Sequence, residues 1–138
     1  MSYLKDTIAS LIETIAHDTD YKIAHNYMVS QIERAFRKHK FYTTREYPIY
    51  KIKDSFGKAE RIDLVARNSK FRVTIEYDHH GLIKWKSLQK IVQIKPDEAI
   101  DITGNGSLGP NIERAEKYRK YLNSKLYVIS LKQSGIKN

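Results

Sequence analysis

The chain has no cysteine among its 138 residues. Disulfides, a thiolate-held zinc and a cysteine nucleophile are therefore excluded, and the composition suits a reducing, cytoplasmic setting. No apolar run reaches the ~20 residues needed to span a bilayer, so no membrane partner is expected. The N-terminus lacks the basic-then-apolar layout of a signal peptide. Internal repeats, low-complexity tracts and an interdomain linker are also missing, and the length suits one domain with its own core. The glycine-containing stretch Gly104-Asn105-Gly106 with Gly109 lacks the lysine of a phosphate-binding loop. Acidic residues are in short supply: 16 against 25 lysines and arginines, for a net charge of +9. That excess favours a polyanionic partner, usually nucleic acid.

What is present divides into short segments of changing period. Leu4, Ile8, Leu11 and Ile15 recur at helical spacing after Ser2, giving an N-terminal helix within residues 1–20. His17-Asp18-Thr19-Asp20 breaks it. A second helix is expected from about Lys22 to Lys40, with Ala24, Met28, Ile32, Ala35 and Phe36 as its apolar stripe. Arg34, Arg37, Lys38 and Lys40 crowd its C-terminal end, where they either offset the helix dipole or contact phosphates. Residues 41–53 then turn to strand chemistry, and Pro48 marks an edge or a bulge. Asp54-Ser55-Phe56-Gly57-Lys58 forms a hairpin turn. Strands over 60–66 and 71–78 complete a meander, which His79-His80-Gly81 ends. A helix over 82–94 stops at Pro96. A strand over 98–103, a helix over 111–122 and a strand over 125–131 follow, before a frayed tail over 132–138. The order is α-α-β-β-β-α-β-α-β, a mixed α/β (α+β) sheet protein whose core runs over 22–131.

The chemistry concentrates between Arg61 and Lys90. Asp63 interrupts the apolar run Ile62-Asp63-Leu64-Val65, and an acid there is costly unless it points to solvent, is paired or binds a metal. Glu76 and Asp78 share one face of the next strand. If the two strands pair, the three carboxylates converge beside Lys84, Lys86 and Lys90. Carboxylates beside lysines in a basic protein suit Mg²⁺ or Mn²⁺, which take hard oxygen donors and keep several waters. Glu46 could stand beside Asp63 as a further acid or pair with Arg61 across the strands. His79 and His80 read as turn residues more readily than as ligands. Trp85 reads as a packing residue of its helix.

These residues resemble the PD-(D/E)xK nuclease superfamily, the restriction-endonuclease-like fold, on Ile62-Asp63-Leu64-Val65 followed by Val73-Thr74-Ile75-Glu76-Tyr77-Asp78. The likeness covers residues 22–131 by element order. It implies a Mg²⁺-dependent deoxyribonuclease in which Asp63, Glu76 and the backbone carbonyl of Tyr77 hold the metal. It also implies a helix glutamate, for which Glu33 is the matching residue; Glu33 could equally pair with Arg37 one turn on. Two features depart from the pattern. No proline precedes Asp63, and Asp78 stands where the lysine is expected. Some members carry that lysine on the next helix, where Lys86 and Lys90 lie one turn apart. Arg34, Arg37, Lys38, Lys40 and Lys84 are the expected DNA contacts. The small size fits dimeric members acting on branched DNA. A non-catalytic nucleic-acid-binding protein on the same fold is the second reading. A helix-turn-helix regulator built on the opening helices is the third.

Overall fold

The computed structural model describes residues 24–78, 84–104, 113, 116, 117 and 125–131. The expected N-terminal helix, His79 and His80, the loop over 105–110, most of the helix over 111–122 and the tail lie outside the described residues. Within them the elements are α1 (Ala24–Lys38), β1 (Tyr42–Lys53), β2 (Ala59–Arg67), β3 (Arg72–Asp78), α2 (Trp85–Ile94), β4 (Glu98–Gly104) and β5 (Lys125–Leu131). The strands form one sheet in the order β1-β2-β3-β4-β5. The first three are antiparallel, and β4 and β5 join in parallel. The fold is mixed α+β, and it contains the meander and the β3-α2-β4 unit read from the sequence. No helix among the described residues is long and apolar enough to cross a membrane.

β1 lies on the edge, where Pro48 needs no ladder donor. Glu46 adopts a positive φ of 53°. Further on, the register slips between Ile49, opposite Glu60, and Lys53, opposite Ala59. β3 is central and buried on both sides from Val73 to Asp78. Leu64 and Val65 are neighbours on β2 and so point to opposite faces. On the Leu64 face, α1 packs Met28, Val29, Ile32 and Phe36 against Val73, Ile75, Tyr77, Ile100 and Ile102. Val65, on the other face, belongs to a second cluster with Ile49 and Ile62, against which Ile94 at the end of α2 packs. Among the described residues the sheet is thus a middle layer with one helix on each side.

The end of α1 fixes how the chain enters β1. The Lys40 N–H donates to the Arg37 carbonyl and the Phe41 N–H to the Phe36 carbonyl, both at 3.0 Å. This is a Schellman ending, and the Phe36 and Phe41 rings meet edge-on at 5.2 Å, the apolar contact that accompanies it. Lys40 takes the left-handed position, φ 65°, which disfavours any residue with a Cβ. Lys40→Gly is expected to stabilise the protein by about 0.5–1 kcal/mol, read as a higher urea midpoint; a lower midpoint would mean that the lysine side chain supports this turn.

Candidate active site

The cleft forms where the β2–β3 ladder opens. Backbone pairing between these strands reaches Leu64 opposite Ile75, and the continuing register sets Asp63 opposite Glu76. Beyond that point the carboxylates replace the backbone acceptors. The Asp63 N–H donates to Glu76 Oε1 at 2.9 Å, and the Tyr77 N–H donates to Asp63 Oδ2 at 2.7 Å. Each acid is held by the other's strand, which fixes both side chains.

β4 extends the row. Its parallel register places Asp101 beside Glu76 and Thr103 beside Asp78. Asp63, Glu76 and Asp101 therefore stand in line across three adjacent strands. Asp101 is fully buried, and neither of its carboxyl oxygens has a hydrogen-bond donor. Burial raises its carboxyl well above the usual range, and the neighbouring Asp78, Glu76 and Asp63 raise it further. Burial likewise pushes Glu76 up to about 7, against the pull of Lys90 and with some help from Asp63.

α2 supplies the remaining walls. Lys90 is buried, with its Nζ 2.9 Å from Glu76 Oε2. The same Nζ donates to the Arg61 carbonyl at 2.6 Å. The Ser87 hydroxyl lies 3.0 Å from Glu76 Oε2 and 2.8 Å from Asp78 Oδ1. A hydroxyl donates one hydrogen, so Ser87 donates to one of the two acids at a time. The helix has no side-chain cap and no acid in its first turn. Asp78 fills that role from outside, accepting the Lys84 N–H at 3.2 Å. Negative charge at a helix N-terminus is favourable, so Asp78 and Glu76 are held by the helix they help to anchor.

The resulting cavity of about 330 Å³ is lined by Glu60, Asp63, Glu76, Tyr77, Asp78, Lys84, Lys86, Ser87 and Lys90. The structure thus brings Asp63, Glu76, Tyr77, Asp78, Lys84, Lys86 and Lys90 together. The two candidate lysines separate: Lys90 sits on the carboxylates, whereas Lys86 pairs with Glu60 at 2.9 Å on the rim and remains half exposed.

Other candidates do not reach the cleft. Glu33 accepts from the Thr43 hydroxyl at 2.7 Å and pairs with Arg37 at 3.3 Å, the i+4 alternative. The reason is that α1 covers the opposite face of the sheet. Arg34, Lys38 and Lys40 are exposed on or just after that helix. Lys38 and Lys40 lie within four residues of Tyr42, which pairs with Arg67 at the end of the sheet away from Asp78. Glu46 is in register with Asp63 but exposed. Trp85 departs from the packing role: it is exposed, with Lys117 over its ring at 5.9 Å. The buried side of α2 is instead Ser87, Leu88, Lys90 and Ile91, because the carboxylates draw Ser87 and Lys90 inward.

Sequence reasoning missed Asp101, Ser87 and Glu60. A signal for Asp101 existed: Ala99-Ile100-Asp101-Ile102 places an acid in an apolar strand, the same feature that singled out Asp63. Ser87 and Glu60 carried none.

The donor set is all oxygen, which suits Mg²⁺ or Mn²⁺, and Mg²⁺ needs only one or two carboxylates among its waters. Among the described residues, no three histidine, aspartate or glutamate side chains already surround a single metal position. The fold and site define a mixed α+β protein with an acid-floored, lysine-rimmed cleft at the C-terminal end of its central strand. No family model, curated protein or solved structure matches the chain.

Proposed function

We propose that the chain is a metal-dependent endonuclease that hydrolyses DNA phosphodiester bonds, on a restriction-endonuclease-like core formed by α1 through β4. The observation that carries this reading is the grouping of Asp63, Glu76 and Asp78 with Lys90, the only buried cation among the described residues, and of Asp101 beside Glu76 on β4, within a protein of net charge +9. Buried carboxylates without matching cations are unfavourable, and a bound divalent cation relieves that repulsion. Burying acids so densely serves no packing purpose.

Asp63, Glu76 and the Tyr77 carbonyl would hold Mg²⁺ or Mn²⁺. When bound, the metal polarises the phosphate and lowers the pKa of its water. The protein's own groups supply the rest. The paired backbone bonds hold Asp63 and Glu76 in one orientation before any ligand arrives, which favours a preformed site. Lys90, fixed by the Arg61 carbonyl, keeps a positive charge where negative charge develops on the phosphate. Lys84 and Lys86 at the rim are exposed and suited to the flanking phosphates. In this reading Lys90 takes the place of the lysine that Asp78 displaces. A symmetric dimer would present two such clefts to one duplex, in an intracellular setting that accords with the cysteine-free composition.

A non-catalytic nucleic-acid-binding role is favoured by one specific observation. Glu76 Oε2 is already engaged by Lys90 and Ser87, so metal entry has to displace or share those contacts. The two readings separate on supercoiled plasmid, linear duplex, single strands and a four-way junction, each with Mg²⁺, Mn²⁺ or EDTA. Metal-dependent cleavage, lost in Asp63→Ala and Glu76→Gln, is the expected result. Binding that is metal-independent and survives both substitutions, without cleavage of any substrate, would favour the binder.

A further inference from the structure

The hairpin between β1 and β2 exposes aromatic surface that the core does not use. Phe56 at its tip is 87% exposed, and Tyr50 just before it is 71% exposed. Water contact with so much apolar surface is unfavourable, and a hairpin tip rarely needs a large side chain. The tip is nonetheless rigidly built. Asp54 Oδ1 accepts the N–H groups of Phe56 at 2.8 Å and Lys58 at 3.0 Å. The Asp54 N–H donates to the Lys58 carbonyl at 2.8 Å, and the Gly57 N–H donates to the Asp54 carbonyl at 3.1 Å. Gly57 supplies the positive φ of 79° that the turn requires. Phe56 is therefore presented in a fixed place, which lowers the ordering cost of any contact it makes.

Its surroundings indicate what that contact is. Lys51, Lys53 and Lys58 lie within a few residues of the two aromatics along the chain, and Lys53 Nζ lies 5.8 Å from the Tyr50 ring centre. Tyr50, Lys51 and Ile52 have no register partner on β2, so the strand bulges outward here. The hairpin also adjoins the cleft. Glu60 lines the active-site cavity and a second one that includes Asp54 and Lys58. It also pairs with Lys86 of the rim at 2.9 Å. Rigid aromatic rings among lysines, beside a phosphate-directed cleft, match the stacking platforms that hold unpaired bases.

We infer that the β1–β2 hairpin stacks Phe56, supported by Tyr50, on an unpaired base next to the phosphate in the cleft, so that the protein prefers nucleic acid with single-stranded or gapped character. This rests on the nucleic-acid reading of the cleft and narrows its substrate class. The flanking lysines hold the backbone, and the ring accepts any base because every base has a π-face.

The test is binding by fluorescence anisotropy in EDTA, so that cleavage does not enter. Three labelled probes are used: a short single strand, the flush duplex of the same sequence, and that duplex with a short gap. Phe56→Ala is expected to weaken the single strand and gapped duplex by about tenfold while leaving the flush duplex within about twofold, and Phe56→Trp retains wild-type binding. In a Trp85→Phe background, which removes the only native tryptophan, Phe56→Trp fluorescence is quenched by the single strand. Equal weakening on all three probes, or no change on any, would overturn the inference. So would unchanged binding combined with lost self-association in sedimentation, which would make the tip a contact between copies. The outcomes are separable from those of the cleft: probe-selective loss without any metal-dependent cleavage keeps the hairpin and overturns the nuclease. Cleavage abolished by Asp63→Ala, with no effect of Phe56→Ala on binding, does the reverse.

Discussion

Lys90→Met is expected to lower metal-dependent strand cleavage by about 10²–10³-fold, the usual effect of removing one group that stabilises transition-state charge. Lys86→Met is expected to stay within about tenfold of wild type, because its partner is the rim residue Glu60. Position alone separates two lysines one turn apart. The Lys90 ammonium is held between Glu76 Oε2 and the Arg61 carbonyl, whereas Lys86 is half exposed. The Lys90 substitution also leaves Glu76 buried without its cation, which costs about 3–5 kcal/mol when the carboxylate is ionised. That loss shrinks at low pH, where Glu76 carries a proton. Cleavage is therefore measured at a temperature where circular dichroism shows both variants folded, and Lys90→Arg serves as the charge-preserving control. Loss of cleavage in Lys86→Met with retention in Lys90→Met would reverse the assignment.

The second large effect is on stability against pH. Burial raises Glu76 from 4.5 to about 7, so between those values the folded protein keeps a proton that the unfolded chain has released. With more protons bound in the folded state, stability falls as pH rises. From Glu76 alone the loss begins near pH 4.5 and is complete above about 7, amounting to about 3 kcal/mol. Asp101 is raised in the same direction, mainly by desolvation, and adds to the loss. Thermal melts in EDTA across this range are expected to show a steady decline. Asp101→Asn removes an ionisable group that has no donor to lose, so it is expected to match wild type near pH 4 and to exceed it at pH 8. Mg²⁺ reverses the trend: a metal that takes Glu76 as carboxylate expels its proton, so the stabilisation it gives grows from pH 6 to pH 8. A melting temperature that rises with pH in EDTA would mean that the acids are satisfied as carboxylates, against the buried-proton picture.

The legible parts of this protein are those carried by local pattern. The change from helical spacing at Met28, Ile32 and Phe36 to strand chemistry after Phe41 placed α1 and β1 within a few residues. Asp54 and Gly57 marked the hairpin, because an Asx turn and a positive φ have strong residue preferences. Asp63 and Glu76 could be paired from sequence because only the four-residue turn Arg67–Lys70 separates the expected strands, and a short hairpin sets its own register. Trp85 illustrates the limit. An apolar residue at the start of a helix reads as core, but the buried side of α2 is chosen by what lies beneath it. Here that is Glu76 and Asp78, which turn a serine and a lysine inward. The cations at the end of α1 illustrate it too. Their clustering is plain in the chain, yet nothing local says which face of the sheet α1 will cover.

By itself, then, the sequence determined the order of the described elements, the antiparallel meander and the acid pair Asp63 and Glu76, since each depends on residues close together along the chain. Only the tertiary structure decided that Asp101 joins the row, that Lys90 rather than Lys86 meets Glu76, and that Glu33 stays away. Those outcomes depend on the parallel register of β4 and on the side of the sheet that each helix packs against. Both are set by burying apolar faces over long sequence separations, and no local periodicity encodes them.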